Sequence, residues 1–404
     1  MKNSLLKLFA FVLVLSITNA CKDTLVTDDA SGDISLKSAI NAKKSYIVVL
    51  QDADLNLELS NIKGYEKRQA AVQSASLRIL QHAGIFDGEV SHVYGNVLHG
   101  FSVMIPPGQL KKLENDPSVK YIEEDQVAVL IHPTKGNPHT GGGGSGGSTS
   151  QTTPWGITRV GGAGDGTGKT AWIIDSGIDQ NHPDLNVDTN RSASFLSGKE
   201  ADNPDDQNGH GTHVSGTIAA IDNDFGVVGV AAGATVVAVR VLDRRGSGSY
   251  SGVIAGVDYV AANGSSGDVA NMSLGGPVSD ALDQAVEDAA ASSGVKFVLA
   301  AGNDGEDANN HSPARANGTN VYTISAMDSS DTMPYWSNWG NPPVDYCAPG
   351  VSIESLWKDG GYNTISGTSM ATPHAAGVLL LGTAHIDGYV KNDQDNNPDP
   401  IIHR

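Results

Sequence analysis

Three short segments of this chain carry the residue types that nucleophilic acyl chemistry requires. The first, Trp172-Ile-Ile-Asp175-Ser-Gly-Ile-Asp179, is an apolar run that ends in a carboxylate. The second, Asn208-Gly-His210-Gly-Thr-His213-Val214, places an imidazole just after a glycine turn. The third, Gly367-Thr368-Ser369-Met370-Ala371-Thr372-Pro373-His374, puts a serine at the start of a long apolar stretch. A serine hydroxyl is a weak nucleophile at neutral pH and needs a base to take its proton, while a carboxylate can hold that base in one tautomer. Each segment alone also admits a plainer role. Asp175 could form a turn, and Ser369 could cap a helix that has Pro in its first turn. His210 and His213 could form an i,i+3 metal pair, although no third ligand lies at metalloprotease spacing.

Taken together the three blocks resemble the subtilisin-like (subtilase) family of serine proteases, in its chain order Asp, His, Ser, and the match runs over residues 153–385. The resemblance implies Ser369 as nucleophile, His210 as general base and Asp175 as the group that orients it. It implies Asn303, after the apolar run Val298-Leu-Ala-Ala-Gly302, as an oxyanion donor beside the backbone N–H of Ser369. It also implies two substrate-binding edges, Gly246-Ser247-Gly248 and Ser273-Leu274-Gly275, between which a peptide would lie as an added antiparallel strand. Ala301 and Gly302 would line the primary specificity pocket. No charged residue occurs in these short segments, so broad cleavage after apolar or aromatic residues is expected, with no cofactor for catalysis.

The elements that must position these groups alternate. Residues 171–174, 234–241, 269–273, 295–300 and 321–325 read as strands. Residues 210–220, 250–262, 279–292 and 368–383 read as helices. Near-continuous apolar strands separated by helices predict an α/β fold, a parallel sheet covered on both faces, with function at the carboxyl ends of the strands. Gly164-Asp-Gly-Thr-Gly-Lys169-Thr170 looks like a phosphate loop, but it lacks the first glycine (Ala163 stands there) and precedes a strand instead of following one.

Ahead of this region the spacing predicts strands at 46–50, 89–94, 98–105 and 119–130, with helices at 66–82 and 107–115. That β-α-β-β-α-β order indicates a small ferredoxin-like α+β domain over 45–131. Its segments Tyr46-Ile-Val-Val49, His99-Gly-Phe101-Ser102 and Val119-Lys-Tyr121-Ile-Glu-Glu124 resemble the inhibitory propeptides of subtilases. The resemblance implies a zymogen, with the propeptide as intramolecular inhibitor and self-cleavage between Leu130 and Thr153. The Gly/Ser-rich tract at 141–150 has no apolar residue to bury, which makes 132–152 a linker and processing region.

The chain has 404 residues, 39% of them hydrophobic and 18% charged, enough apolar material for more than one core. A net charge of −19 opposes a nucleic-acid partner, which would require a basic stripe. Residues 1–20 read as an export signal: Lys2 and Lys7 precede an apolar run too short to span a bilayer. Cys21, directly after Ala20, resembles the lipid-attachment cysteine of bacterial lipoproteins, with 21–44 as a polar tether. The expectation is therefore a protein exported from a bacterial cell, secreted or lipid-anchored to the envelope, monomeric and acting on polypeptides. Two cysteines give no disulfide framework, and Cys347 is expected as a lone buried thiol. Structural calcium is the one ion expected, with candidate loops at Asp202–Asp206 and at Asp393, Asp395 and Asn397 in an acidic tail over 386–404. A pseudoenzyme of the same fold and an esterase with the same triad are the competing readings; all triad members are present, and the two binding edges favour peptides.

Overall fold

The computed structural model describes residues 42–51, 59–130, 150–382 and 384–404. The export signal, Cys21 and nearly all of the linker therefore lie outside the described residues. Among the described residues no helix is long and apolar enough to cross a membrane.

The N-terminal domain contains β1 (Lys44–Leu50), α1 (Tyr65–His82), β2 (Glu89–Tyr94), β3 (Gly100–Ile105), α2 (Leu110–Glu114) and β4 (Val119–Glu124). Its sheet runs β2-β3-β1-β4, every pair antiparallel, as a ferredoxin-like order requires. The unbroken apolar run of β1 follows from its two buried faces. Tyr46, Val48 and Leu50 join Val72, Ile79 and Leu80 of α1 in the domain's own core, while Ile47 and Val49 face the larger domain. The expected helix over 107–115 divides into a 3₁₀ turn at Pro107–Gln109 and the short α2. The expected strand over 119–130 also divides. The chain breaks at Asp125-Gln126, and β5 (Val127–Leu130) leaves the N-terminal sheet altogether. Alternating apolarity could not show that break, because β5 buries Ala128 and Leu130 alternately as a continuing strand would.

The larger domain contributes β6 (Thr170–Asp175), α3 (His210–Ala219), β7 (Thr235–Arg240), β8 (Ser247–Ser249), α4 (Tyr250–Asn263), β9 (Val269–Met272), β10 (Leu274–Gly275), α5 (Asp280–Ser293), β11 (Lys296–Ala300), β12 (Val321–Met327), β13 (Val344–Pro349), β14 (Ile353–Trp357), β15 (Gly361–Ile365), α6 (Thr368–Leu381), β16 (His385–Tyr389) and β17 (Pro400–His403). Strands β17-β13-β12-β11-β9-β6-β7 form a parallel sheet. Its alternating side chains divide between two cores. Trp172, Ile174, Val237 and Val239 pack against α4 and α5, and Ala171, Ile173, Val236 and Ala238 against α3 and α6.

Residues 386–404, expected as an acidic tail outside the fold, are part of it. β17 pairs parallel to β13 and antiparallel to β16, and it buries Ile401 and Ile402. The acidic residues between these strands build the connecting loop: Asp393 accepts from the backbone N–H groups of Asp395 (3.5 Å) and Asp399 (3.1 Å), and Asp395 from that of Asn397 (2.8 Å). Asp399 is itself buried, and its neighbour Cys347 is a buried free thiol whose pKa burial pushes well up.

Candidate active site

β6, an inner strand flanked by β9 and β7, carries Asp175 at its C-terminal end, fully buried. The carboxylate accepts from the backbone N–H of Ser176 at 2.7 Å and faces His210, whose Nδ1 lies 2.9 and 3.0 Å from its two oxygens. With Nδ1–H donating to the carboxylate, Nε2 becomes the basic nitrogen. His210 is the first residue of α3, which a carboxylate seats in place. Asp206 accepts from Ser176 Oγ (3.0 Å), the N–H groups of Asn208 (2.9 Å), Gly209 (2.8 Å) and Thr212 (2.9 Å), and Thr212 Oγ1 (2.7 Å). An anion at a helix N-terminus meets both the unpaired donors and the positive end of the dipole. Gly209, at φ +115°, leaves no room for a side chain: a Cβ would lie 2.2 Å from the Trp357 ring.

Ser369 is the second residue of α6, which packs against α3. Its Oγ donates to the Ser273 carbonyl at 3.1 Å, and Ser273 Oγ donates back to the Ser369 carbonyl at 2.9 Å. Asn271 Nδ2 supports Ser273 Oγ at 2.8 Å, which ties the nucleophile candidate to the end of β9. Asn303 follows β11, and its Oδ1 accepts from Thr368 N (2.9 Å) and Thr368 Oγ1 (3.0 Å). That double bond fixes the amide, with its donor end Nδ2 turned away from Thr368.

The other two histidines of the three motifs serve the core. His213 Nε2 lies 3.1 Å from the Ile353 carbonyl, and burial pushes its pKa down to about 3. His374 Nδ1 lies 2.8 Å from the Met370 carbonyl, and burial pushes its pKa down to about 4. Both are neutral at physiological pH. Among the described residues no group of three or more His, Cys, Asp or Glu side chains is arranged to hold a metal ion. In the two calcium candidates, Asp206 is committed to α3 and Asp393 to its own loop.

β5 lies between β8 and β10, antiparallel to both. Ser247 pairs with Val129 and Gly248 with Ala128 on one side; Leu274 pairs with Leu130 and Gly275 with Val129 on the other. Leu130 N–H donates to the Gly246 carbonyl at 2.9 Å. Ala128 and Leu130 are buried, while Val127 and Val129 remain exposed. A Cβ on Gly246 would meet the Leu130 side chain at 2.5 Å, so this edge accepts Leu130 through the glycine. Beside the strand opens a cavity of 270 Å³, lined by Gly275, Gly276, Ala300, Ala301, Gly302 and Ala314 on its apolar side. Asp304 and His311 line the same cavity. The short motifs carry no charge of their own; Asp304 follows directly on Asn303, and His311 lies well beyond it in the chain.

The seam between the two domains was not foreseen either. Asp258 of α4, nearly fully buried, accepts from Asn96 N (2.6 Å), Val97 N (3.0 Å), Gln69 Nε2 (2.7 Å) and Asn96 Nδ2 (3.0 Å). Glu123 caps α5, accepting from Ser279 Oγ (2.7 Å) and Ala281 N (3.0 Å), and Asp125 accepts from Ser251 N (2.9 Å) and Oγ (2.6 Å). In sequence these residues look like any solvated acidic surface.

The model of the subtilase family matches residues 166–393, and that of the peptidase inhibitor I9 family matches residues 45–130. Alkaline serine exoprotease A of Vibrio alginolyticus is 43% identical over 348 residues, which are 83% of this chain and 60% of that protein's length. Subtilisin E of Bacillus subtilis (strain 168) is 36% identical over 334 residues, 80% of each chain. A solved structure of a cold-adapted subtilisin-like serine proteinase aligns with a TM-score of 0.49 and 47% identity, over 56% of this chain and 84% of that one.

Proposed function

The chain belongs to the subtilase family of serine proteases and carries an I9 inhibitor domain ahead of the protease domain, and on that premise we propose that it is an exported endopeptidase that processes its own precursor, with Ser369 as nucleophile. The observation that carries this reading is the placement of β5. The last strand of the inhibitor domain occupies a two-edged slot in the manner of a substrate and points toward the carbonyl of Ser273, to which Ser369 Oγ is bonded.

In the proposed reaction Ser369 Oγ attacks the scissile carbonyl as its proton passes to His210 Nε2. The new C–O bond places a negative charge on the carbonyl oxygen, where the Ser369 N–H and Asn303 Nδ2 would donate. The C–N bond then breaks, and the amine leaves with the proton from His210. Water, deprotonated by His210, releases the acyl group in the same way. Asp175 holds the imidazole and stabilises its cation. Catalysis by this set uses no cofactor.

Gly246, Ser247 and Gly248 with Ser273, Leu274 and Gly275 would bind the substrate backbone, and the walls at Ala300, Ala301 and Gly302 favour an apolar or aromatic residue before the scissile bond. The cut falls between Leu130 and Thr153. Cys21, if lipidated, lies on the far side of that cut, so processing frees the protease from the envelope once the inhibitor domain dissociates. Precursor expression beside Ser369→Ala, read by intact mass, tests the reading: only the wild type should divide between Leu130 and Thr153. Equal maturation of the variant in a protease-free host would refute self-processing.

A further inference from the structure

We propose that the hairpin of β16 and β17 carries a clamp for a late first-row divalent cation, zinc or copper, formed by His385 and His403. The proposal stands apart from the protease reading, because neither residue belongs to the catalytic set. His385 opens β16 and His403 closes β17, and the two stand opposite each other in the antiparallel register. Their ring centroids lie 4.8 Å apart with the planes tilted by 58°, and His385 Nε2 is 3.1 Å from His403 Nδ1. The main-chain oxygen of Arg404 lies 2.9 Å from the same Nδ1. Neighbouring donors at zinc's usual bond lengths are roughly 2.9–3.5 Å apart. Both spacings therefore match edges of one coordination shell, which water would complete. Imidazole nitrogens select zinc or copper, whereas calcium and magnesium take oxygen donors.

Both strands are fixed before an ion arrives. His403 packs over Gly161, where a Cβ would lie 2.8 Å from its Cε1. The Arg404 N–H donates to the Val160 carbonyl at 2.9 Å, and its guanidinium donates to the Gly161 carbonyl at 3.1 Å. On the other strand, Arg159 donates to the Asp387 carboxylate at 3.0 Å and to the Asp387 carbonyl at 3.1 Å. The backbone beneath each imidazole is thus tied to residues 159–161, which leaves little ordering for binding to oppose. His385 is exposed and His403 half-buried, so an ion can reach the pair from solvent. Once bound, it would staple β16 to β17 and hold the hairpin against the start of the protease body.

Untagged full-length Ser369→Ala precursor tests the proposal, since it keeps the inhibitor domain in place and spares the sample from autolysis. Zinc chloride is titrated in competition with a chromophoric chelator, beside His385→Gln and His403→Gln in the same background. The parent chain should bind one zinc, and each substitution should weaken that binding at least about tenfold. Free zinc at ten times its dissociation constant should raise the parent's melting temperature by roughly 3 °C and leave the variants' unmoved. Copper(II) should show nitrogen hyperfine structure in the parent's paramagnetic resonance spectrum, lost in both variants. No zinc bound at roughly 0.1 mM free ion, zinc held equally well by both variants, or displacement of zinc by equimolar calcium would overturn the proposal. Should His403→Gln fail to fold, exposed His385→Gln decides alone.

Discussion

Two buried aspartates show how differently the protease body and the seam with the inhibitor domain are built. Asp206, inside the body, takes five hydrogen bonds, all from residues 176–212 of the same domain. Asp258, at the seam, takes four, all from Gln69, Asn96 and Val97 of the inhibitor domain. Burial pushes the pKa of both upward against the pull of those donors. When the inhibitor domain departs, Asp206 keeps every partner, whereas Asp258 exchanges all of its partners for water. A carboxylate is stable in either state, so this polar part of the seam can open without stranding a charge, while Ile47, Val49, Val97 and Leu98 supply its apolar part. The body has no such alternative state.

Four substitutions sharpen or break this comparison. The largest effect belongs to Asp175→Asn, which alters the body's chemistry with little change of shape. An amide in place of the carboxylate permits the wrong tautomer of His210, and kcat should fall about 10⁴-fold, measured on a peptide anilide. Asp206→Ala strands several buried donors at the start of α3, and the body should lose roughly 3 kcal/mol or more, measured by denaturant unfolding of the processed enzyme. Asp258→Ala should leave the unfolding of the processed body within about 0.5 kcal/mol of wild type. It should nevertheless weaken the hold of the inhibitor domain by roughly 2–3 kcal/mol, seen as a shorter lag before activity appears. An unchanged lag would break the comparison.

The smallest effect tests a carboxylate of the body that lacks the provision made for Asp206. Asp399 is 1% exposed; Ser325 Oγ donates to its Oδ2, and its Oδ1 has no donor among the described residues. Burial, with Asp393 and Asp395 nearby, pushes its pKa up to about 7. The native state therefore holds a proton that the unfolded chain releases. Stability from this group is fully present below the ordinary carboxylate pKa and is lost as pH rises through about 7. Asp399→Asn should flatten that decline and raise the melting temperature by a few degrees at pH 8, a shift worth about 1 kcal/mol, read by calorimetry across pH.

Much of the architecture was legible in the sequence because burial imposes periodicity. The parallel strands of the body are apolar on both faces and their helices read plainly, so the strand ends that carry Asp175, Ser273 and Asn303 could be located within a residue or two. The C-terminal strand β17 was missed because Pro400-Ile401-Ile402-His403 is too short to show a period, and the acidic loop before it reads as solvated chain. The hairpin of β14 and β15 was missed for a similar reason: its second strand, Gly361–Ile365, has no fully buried residue.

What the sequence determined by itself was the set of reacting types and their order, because Asp, His and Ser sit in local motifs whose glycines and helix starts are written in adjacent residues. It also determined two cores, because apolar spacing is a local property. Only the tertiary structure decided that β5 leaves its own sheet for the cleft, since a strand carries no mark of its partner. Only the tertiary structure decided that Asp258 faces Asn96 and that His311 joins Asp304 in one pocket. Those pairs arise from the way the domains and loops meet, and the strength of an electrostatic contact depends on distance through space, which sequence separation does not give.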